Sequence, residues 1–177
     1  MKRVVVGFVL GLLTLPLVGY LYFKYGKPPV ATGDPPLPFE KQIVKVPLRA
    51  RIDREMPKVV PIPADEAAYT AGATIYQVQC AACHGLPDHA SAFAEAMFPR
   101  APQLFARHGE VVGVSDDEPG ESFWKVQNGI RLSGMPAYKA ILSEAELWQV
   151  TLLVAHADKL SPGVRQLLKP PSIAAAK

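Results

Sequence analysis

Gln79 to Leu86 reads QCAACHGL, and the fold and chemistry of the chain turn on this stretch. It holds both cysteines of the 177 residues, two alanines apart, with His84 directly after the second. A C-x-x-C pair can serve several chemistries. A thioredoxin-like redox pair belongs to a βαβ pattern, and none surrounds this one. A structural zinc site takes four Cys or His ligands at recognisable spacing, and the remaining histidines, His89, His108 and His156, supply no second pair.

The addition of His84 gives C-x-x-C-H, the pattern of covalent haem attachment. Two thiols one helical turn apart can form thioethers with the two vinyl groups of haem while the neighbouring imidazole reaches the iron. Cys80, Cys83 and His84 are therefore read as the site of one covalently attached haem c. Both cysteines are consumed by the cofactor, and neither remains for a disulfide. Because this attachment takes place outside the cytoplasm, the domain is expected to be exported.

An iron held by His84 has a sixth position to fill or leave open. Met1 starts the chain, Met56 lies in a proline-rich arm, and Met97 falls in a predicted short helix soon after His84. Met135 stands between Gly134 and Pro136 in NGIRLSGMPAY, a constrained loop far enough along the chain to reach the other haem face. A methionine there is poorly placed as core filler, so Met135 is the expected second axial ligand, with the three other histidines as rivals in principle. Metal ligation is thus assigned to His84 and Met135.

Val4 to Phe23 is twenty residues without a charge, which at about 1.5 Å per residue matches a hydrocarbon core of about 30 Å. Tyr20, Tyr22, Phe23 and Tyr25 crowd its far end, where aromatic rings favour the interface. Residues 1–26 are therefore expected to be a single transmembrane anchor. A cleaved signal peptide is the alternative, although the apolar run exceeds the usual length and no small-x-small cleavage site follows. Lys2 and Arg3 nearly balance Lys24 and Lys27, so the charge rule leaves orientation open. The exported haem domain decides it, with the amino terminus inside.

Residues 27–63 carry nine of the eighteen prolines and read as an extended linker. Within it PLRARIDREMP places Leu48, Ile52 and Met56 on one face of a short helix, to pack on the domain or a partner, or to fray. From Ala64 onward the chain is expected to be all-α, with helices from Asp65 to the cysteines, around Glu95, over Glu121–Asn128 and over Ser143–Leu160. The last opens with a Ser143/Glu146 capping box. Net charge is +3 over the whole chain. The basic excess lies before Ala64 and residues 64–177 hold nine basic and twelve acidic residues, which speaks against nucleic acid as a partner.

GATIYQVQCAACHG, RAPQLF, NGIRLSGMPAY and LSEAELWQV, in that order, make residues 65–160 resemble a class I, single-haem cytochrome c, in the style of bacterial membrane-anchored domains such as cbb3-oxidase subunit III. The resemblance implies the class I cytochrome c fold for residues 64–177. It implies that Gly72 and Tyr76 approach the last helix closely, facing Val150 and Leu153, and that Pro102 offers its carbonyl to the Nδ1–H of His84. Arg100, Trp124 and Arg131 are candidates for haem propionates, or else ordinary surface or packing residues. The implied activity is one-electron transfer between respiratory or photosynthetic redox proteins, without catalysis, by a carrier tethered to the bacterial inner membrane with its haem domain in the periplasm. Two alternatives stay open: a fixed haem subunit of a larger oxidoreductase complex, and a haem enzyme or gas sensor from which Met135 dissociates.

Overall fold

The computed structural model describes residues 1–170 and divides into two compact units, Met1–Ile43 and Val44 onward. In the first unit, α1 (Lys2–Tyr25) is a 24-residue helix with no buried residue and a window of mean hydropathy 2.3. It is long and apolar enough to cross a membrane. Pro16 lies inside it. At its far end the Lys24 ammonium stands 5.6 and 5.1 Å from the ring centres of Tyr20 and Tyr25, within cation–π range.

The second unit takes in much of the segment expected to be linker. Helix α2 (Glu40–Glu55) was expected to start after Pro47, but it begins at Glu40 and carries Pro47 in its interior. Its start is set by Glu40, whose carboxylate accepts the Leu37 N–H at 2.7 Å, and by Phe39, which turns the chain at φ 63°. The Leu48, Ile52, Met56 stripe is used: Ile52 is 1 % exposed and packs with Met56 against Trp124, with Leu48 at the margin. Polar groups ring this contact. The Trp124 indole N–H donates to Glu55 at 3.0 Å, Arg49 pairs with Glu121 at 3.3 Å, and Lys125 pairs with Glu121 at 2.7 Å and Asp117 at 3.4 Å. Residues 44–63 are therefore strapped to the globular body.

Helix α3 (Glu66–Gln79) is capped by Asp65, which accepts the Ala68 N–H at 2.9 Å. It leads directly into the single turn α4 (Ala81–His84). Its main partner is α7 (Glu144–Ala155), and the two meet so closely at Gly72 that a Cβ there would strike the Gln149 carbonyl and press on Leu153. Gly72 itself thus meets the Gln149 backbone and the Leu153 side chain, while the expected Val150 and Leu153 pack in the core beside Tyr76. Val150 lies in the same core, with Ala73, Tyr76, Leu153, Val154, Leu160, Val164 and Leu168.

Helix α5 (Ala92–Glu95) is one turn, and α6 (Pro119–Asn128) packs on α7. Phe123 stacks on Trp148, with ring centres 4.1 Å apart. A 3₁₀ turn, Tyr138–Ala140, follows the Met135 loop. The capping box at Ser143 and Glu146 forms in full, but the helix stops at Ala155, short of Leu160. A new helix, α8 (Pro162–Leu167), follows, with Ser161 capping the Val164 N–H and Pro162 at its first turn. Among the described residues the extended structure is an antiparallel pair of two-residue strands, β1 (Arg107–His108) and β2 (Val111–Val112), and two isolated bridges, all too short to leave an alternating pattern in the sequence.

Two outcomes test this packing. Gly72→Ala should lower the unfolding free energy by about 1–2 kcal/mol, since overpacking against backbone outweighs the roughly 1 kcal/mol that alanine gains in helix propensity; urea unfolding reads it. Ile52→Ala should cost about 2–5 kcal/mol as a core truncation, whereas a free linker would leave stability within about 0.5 kcal/mol.

Candidate functional site

Helix α3 ends where the cysteines begin. Cys80 leaves helical geometry at φ −120°, ψ −36°, its N–H still bonded to the Tyr76 carbonyl, and α4 then puts Cys83 and His84 on the next turn. The turn closes at Gly85, whose φ of +72° lies in the left-handed region. A side chain there would also collide with Gln103 and with the His89 carbonyl. From the core side, the buried Tyr76 hydroxyl donates to the Gly85 carbonyl at 2.8 Å.

The His84 ring is oriented by a backbone acceptor. Its Nδ1 lies 2.8 Å from the Pro102 carbonyl oxygen, so Nδ1 carries the proton and Nε2 is left with its lone pair. Burial pushes the imidazole below its ordinary pKa and the Pro102 bond pulls the other way, which leaves the ring neutral at neutral pH. The Leu104 N–H returns to the His84 carbonyl at 3.2 Å. Burial, reinforced by the neighbouring Cys83, pushes the free Cys80 thiol up to about 12. The two cysteines form no disulfide with each other.

Met135 lies half-buried in a loop closed on itself. The Ile130 N–H donates to the Met135 carbonyl at 3.2 Å, and the Ser133 hydroxyl donates to the Ile130 carbonyl at 2.7 Å while accepting the Met135 N–H at 3.3 Å. Gly129, at φ +67°, lets the strand carrying Met135, Pro136 and Ala137 pass against it where a Cβ would clash. Just beyond, the Tyr138 hydroxyl donates to the Gln79 carbonyl at 2.6 Å, tying this segment to the end of α3.

Two residues that the sequence reading passed over hold the site together. Gln103 accepts the Ser91 N–H at 2.7 Å and donates to the Cys83 carbonyl at 3.2 Å. Tyr138 makes the bond to Gln79 just described. Their one signal was position, Gln103 next to Pro102 and Tyr138 three residues after Met135. Of the propionate candidates, Trp124 gives its N–H to Glu55 and Arg100 pairs with Glu95, while Arg131 is exposed. Among the described residues no three His, Cys, Asp or Glu side chains gather into a metal cluster.

The donor set fits covalently held haem: two unpaired cysteines on one turn, and a neutral histidine with one nitrogen committed to backbone and the other free. A helix pair closed over a C-x-x-C-H turn of this kind defines a cytochrome c domain. Residues 67–153 match the family model of cytochrome c oxidase, cbb3-type, subunit III, which supports a cytochrome c domain like that of this subunit. Domains of this family bind haem c covalently and transfer electrons. No curated protein and no solved structure matches the chain.

The Tyr138 bond carries a pH signature. Burial is the first cause that raises its phenol, to about 12, so it stays protonated after the unfolded chain's tyrosines ionise near pH 10. The stabilisation is then full below about pH 10 and is lost as pH rises through about 12. Tyr138→Phe should cost about 1 kcal/mol below pH 10, and its difference from the parent in urea unfolding should shrink toward zero between pH 10 and 12.

Proposed function

We propose that this chain is a membrane-tethered carrier of single electrons, in which Cys80 and Cys83 would hold one haem c through thioethers and His84 and Met135 would ligate its iron. The observation that carries the reading is the His84–Pro102 hydrogen bond at 2.8 Å, which presents Nε2 of a neutral, oriented imidazole next to two free cysteines. Such a bond fixes the ring and raises its strength as a ligand. Haem bound there supplies reversible exchange between ferric and ferrous iron.

The protein's own part is to hold geometry. Tyr76 and Gln103 pin the cysteine–histidine turn from two sides, Pro102 orients His84, and the closed loop from Ile130 to Met135 limits how far Met135 can move between oxidation states. Small rearrangement between the two states is what fast electron exchange requires of the site. A histidine and a thioether both retained leave no position for substrate, which supports a carrier and not a catalyst.

The anchor in this reading is α1, through residues 4–23, with residues 27–63 leading to the haem domain of residues 64–177 on the periplasmic side of the bacterial inner membrane. Its partners are redox proteins at or in that membrane. A second reading, a fixed haem subunit of a larger complex such as a terminal oxidase or a quinol-oxidising complex, is favoured by the match to an oxidase subunit family. Purification in mild detergent separates the two: stoichiometric recovery with other subunits supports the fixed subunit, and recovery as a single chain supports the carrier.

The haem assignment has its own test. Expressed where haem c can be installed, the chain should gain the mass of one haem, and Cys80→Ala with Cys83→Ala should abolish that gain. Reduced parent protein should resist carbon monoxide near neutral pH and Met135→Ala should bind it readily; a parent that binds carbon monoxide freely would overturn the six-coordinate reading.

A further inference from the structure

The segment between His84 and Pro102 is built as a brace. Its near end is fastened to the cysteine–histidine turn: the Ser91 hydroxyl donates to the Ala82 carbonyl, and Gln103 links the Ser91 N–H to the Cys83 carbonyl. Its middle is the single turn α5, with Ala94 1 % exposed beneath it. Its far end continues in turn geometry, the Ala96 N–H donating to the Phe93 carbonyl and the Met97 N–H to the Ala94 carbonyl. The Glu95–Arg100 ion pair closes it.

What this segment delivers is Met97. The Met97 methyl lies over Gly134, 3.3 Å from where a Cβ on that glycine would stand. Among the described residues outside the glycine's chain neighbours, no other atom comes within 4 Å of that point. Gly134 adopts φ +79° and immediately precedes Met135. The rest of that loop is held by its own hydrogen bonds and by Gly129, so Met97 is the outside side chain that stands against one side of the glycine, which is otherwise exposed.

We propose that Met97 is a positioning residue for Met135: its flexible, polarizable side chain abuts Gly134 and keeps the Met135 thioether from swinging away toward it. The brace thereby couples the turn that carries one axial ligand to the loop that carries the other. This rests on the assignment of Met135 as ligand. Truncating Met97 removes the side chain that abuts Gly134 and lets the loop move into its place. Leucine, nearly equal in volume and unable to ligate iron well, should still abut it.

The experiment compares holoprotein of the parent, Met97→Ala, Met97→Leu and Met135→Ala by the thioether-to-iron charge-transfer band of the ferric form and by carbon monoxide binding to the ferrous form. Urea midpoints of all four report overall stability. Met97→Ala should keep the band but raise the apparent carbon monoxide affinity by about tenfold, the size expected when one side-chain contact is removed. Met97→Leu should stay within about threefold of the parent. Equal carbon monoxide affinity in Met97→Ala and parent, with free binding in Met135→Ala, would overturn the brace and leave the ligand assignment standing. Loss of the band in Met97→Ala and Met97→Leu, with its retention in Met135→Ala, would make Met97 the ligand and overturn both.

Discussion

The contact on which the rest of the domain depends is the approach of α3 to α7 at Gly72. A glycine there lets the helix backbone lie against the Gln149 carbonyl and Leu153, and only at that separation can Tyr76, one turn further on, be fully buried with its hydroxyl on the Gly85 carbonyl. That hydroxyl holds the end of the cysteine–histidine turn. A larger residue at position 72 would therefore push on more than one helix. It would shift the turn that carries Cys80, Cys83 and His84 relative to the body that orients them.

Around that turn the site is assembled from backbone carbonyls and not from charged side chains. Pro102 receives His84, Gln79 receives Tyr138, Ile130 receives Ser133, and Cys83 and Ala82 receive Gln103 and Ser91. Backbone acceptors are neutral at every working pH and are fixed by the chain itself. A group oriented by them keeps its geometry whatever charge is added or removed nearby. This suits a one-electron site, where the net charge changes by one with each cycle.

The segment before the haem domain has a different physics. Its prolines suggest an extended arm, yet Ile52 and Met56 are buried against Trp124, and Arg49 with Glu121 and Glu55 with Trp124 make polar contacts between α2 and α6, Lys125 pairing with Glu121 within α6. The ion pairs are mostly at the surface and contribute little individually. The apolar contact is what fixes α2 to α6, and the charges set its register. The packed unit therefore begins near Val44, some twenty residues before the haem domain begins in the sequence.

The sequence by itself determined the features that depend on residue chemistry at fixed spacing: the apolar span, the C-x-x-C-H turn, the Asp65 cap, the Ser143/Glu146 capping box and the helical character of the whole. All of these are local, with partners within a turn or two. Tertiary structure decided what depends on distant neighbours. Gln103 and Tyr138 carry no motif and gain their roles only because folding brings Cys83 and Gln79 within reach. Trp124, a candidate for a propionate, is turned to Glu55 because α2 docks there. The stop at Ala155 and the restart at Ser161 were legible in part, since Ser-Pro is a helix start, but the apolar run through Leu160 masked the break. Met97 could not have been linked to Gly134 from spacing alone, because their meeting depends on how the segment from Ser91 to Arg100 is fastened at Ser91 and closed on itself by Glu95 and Arg100.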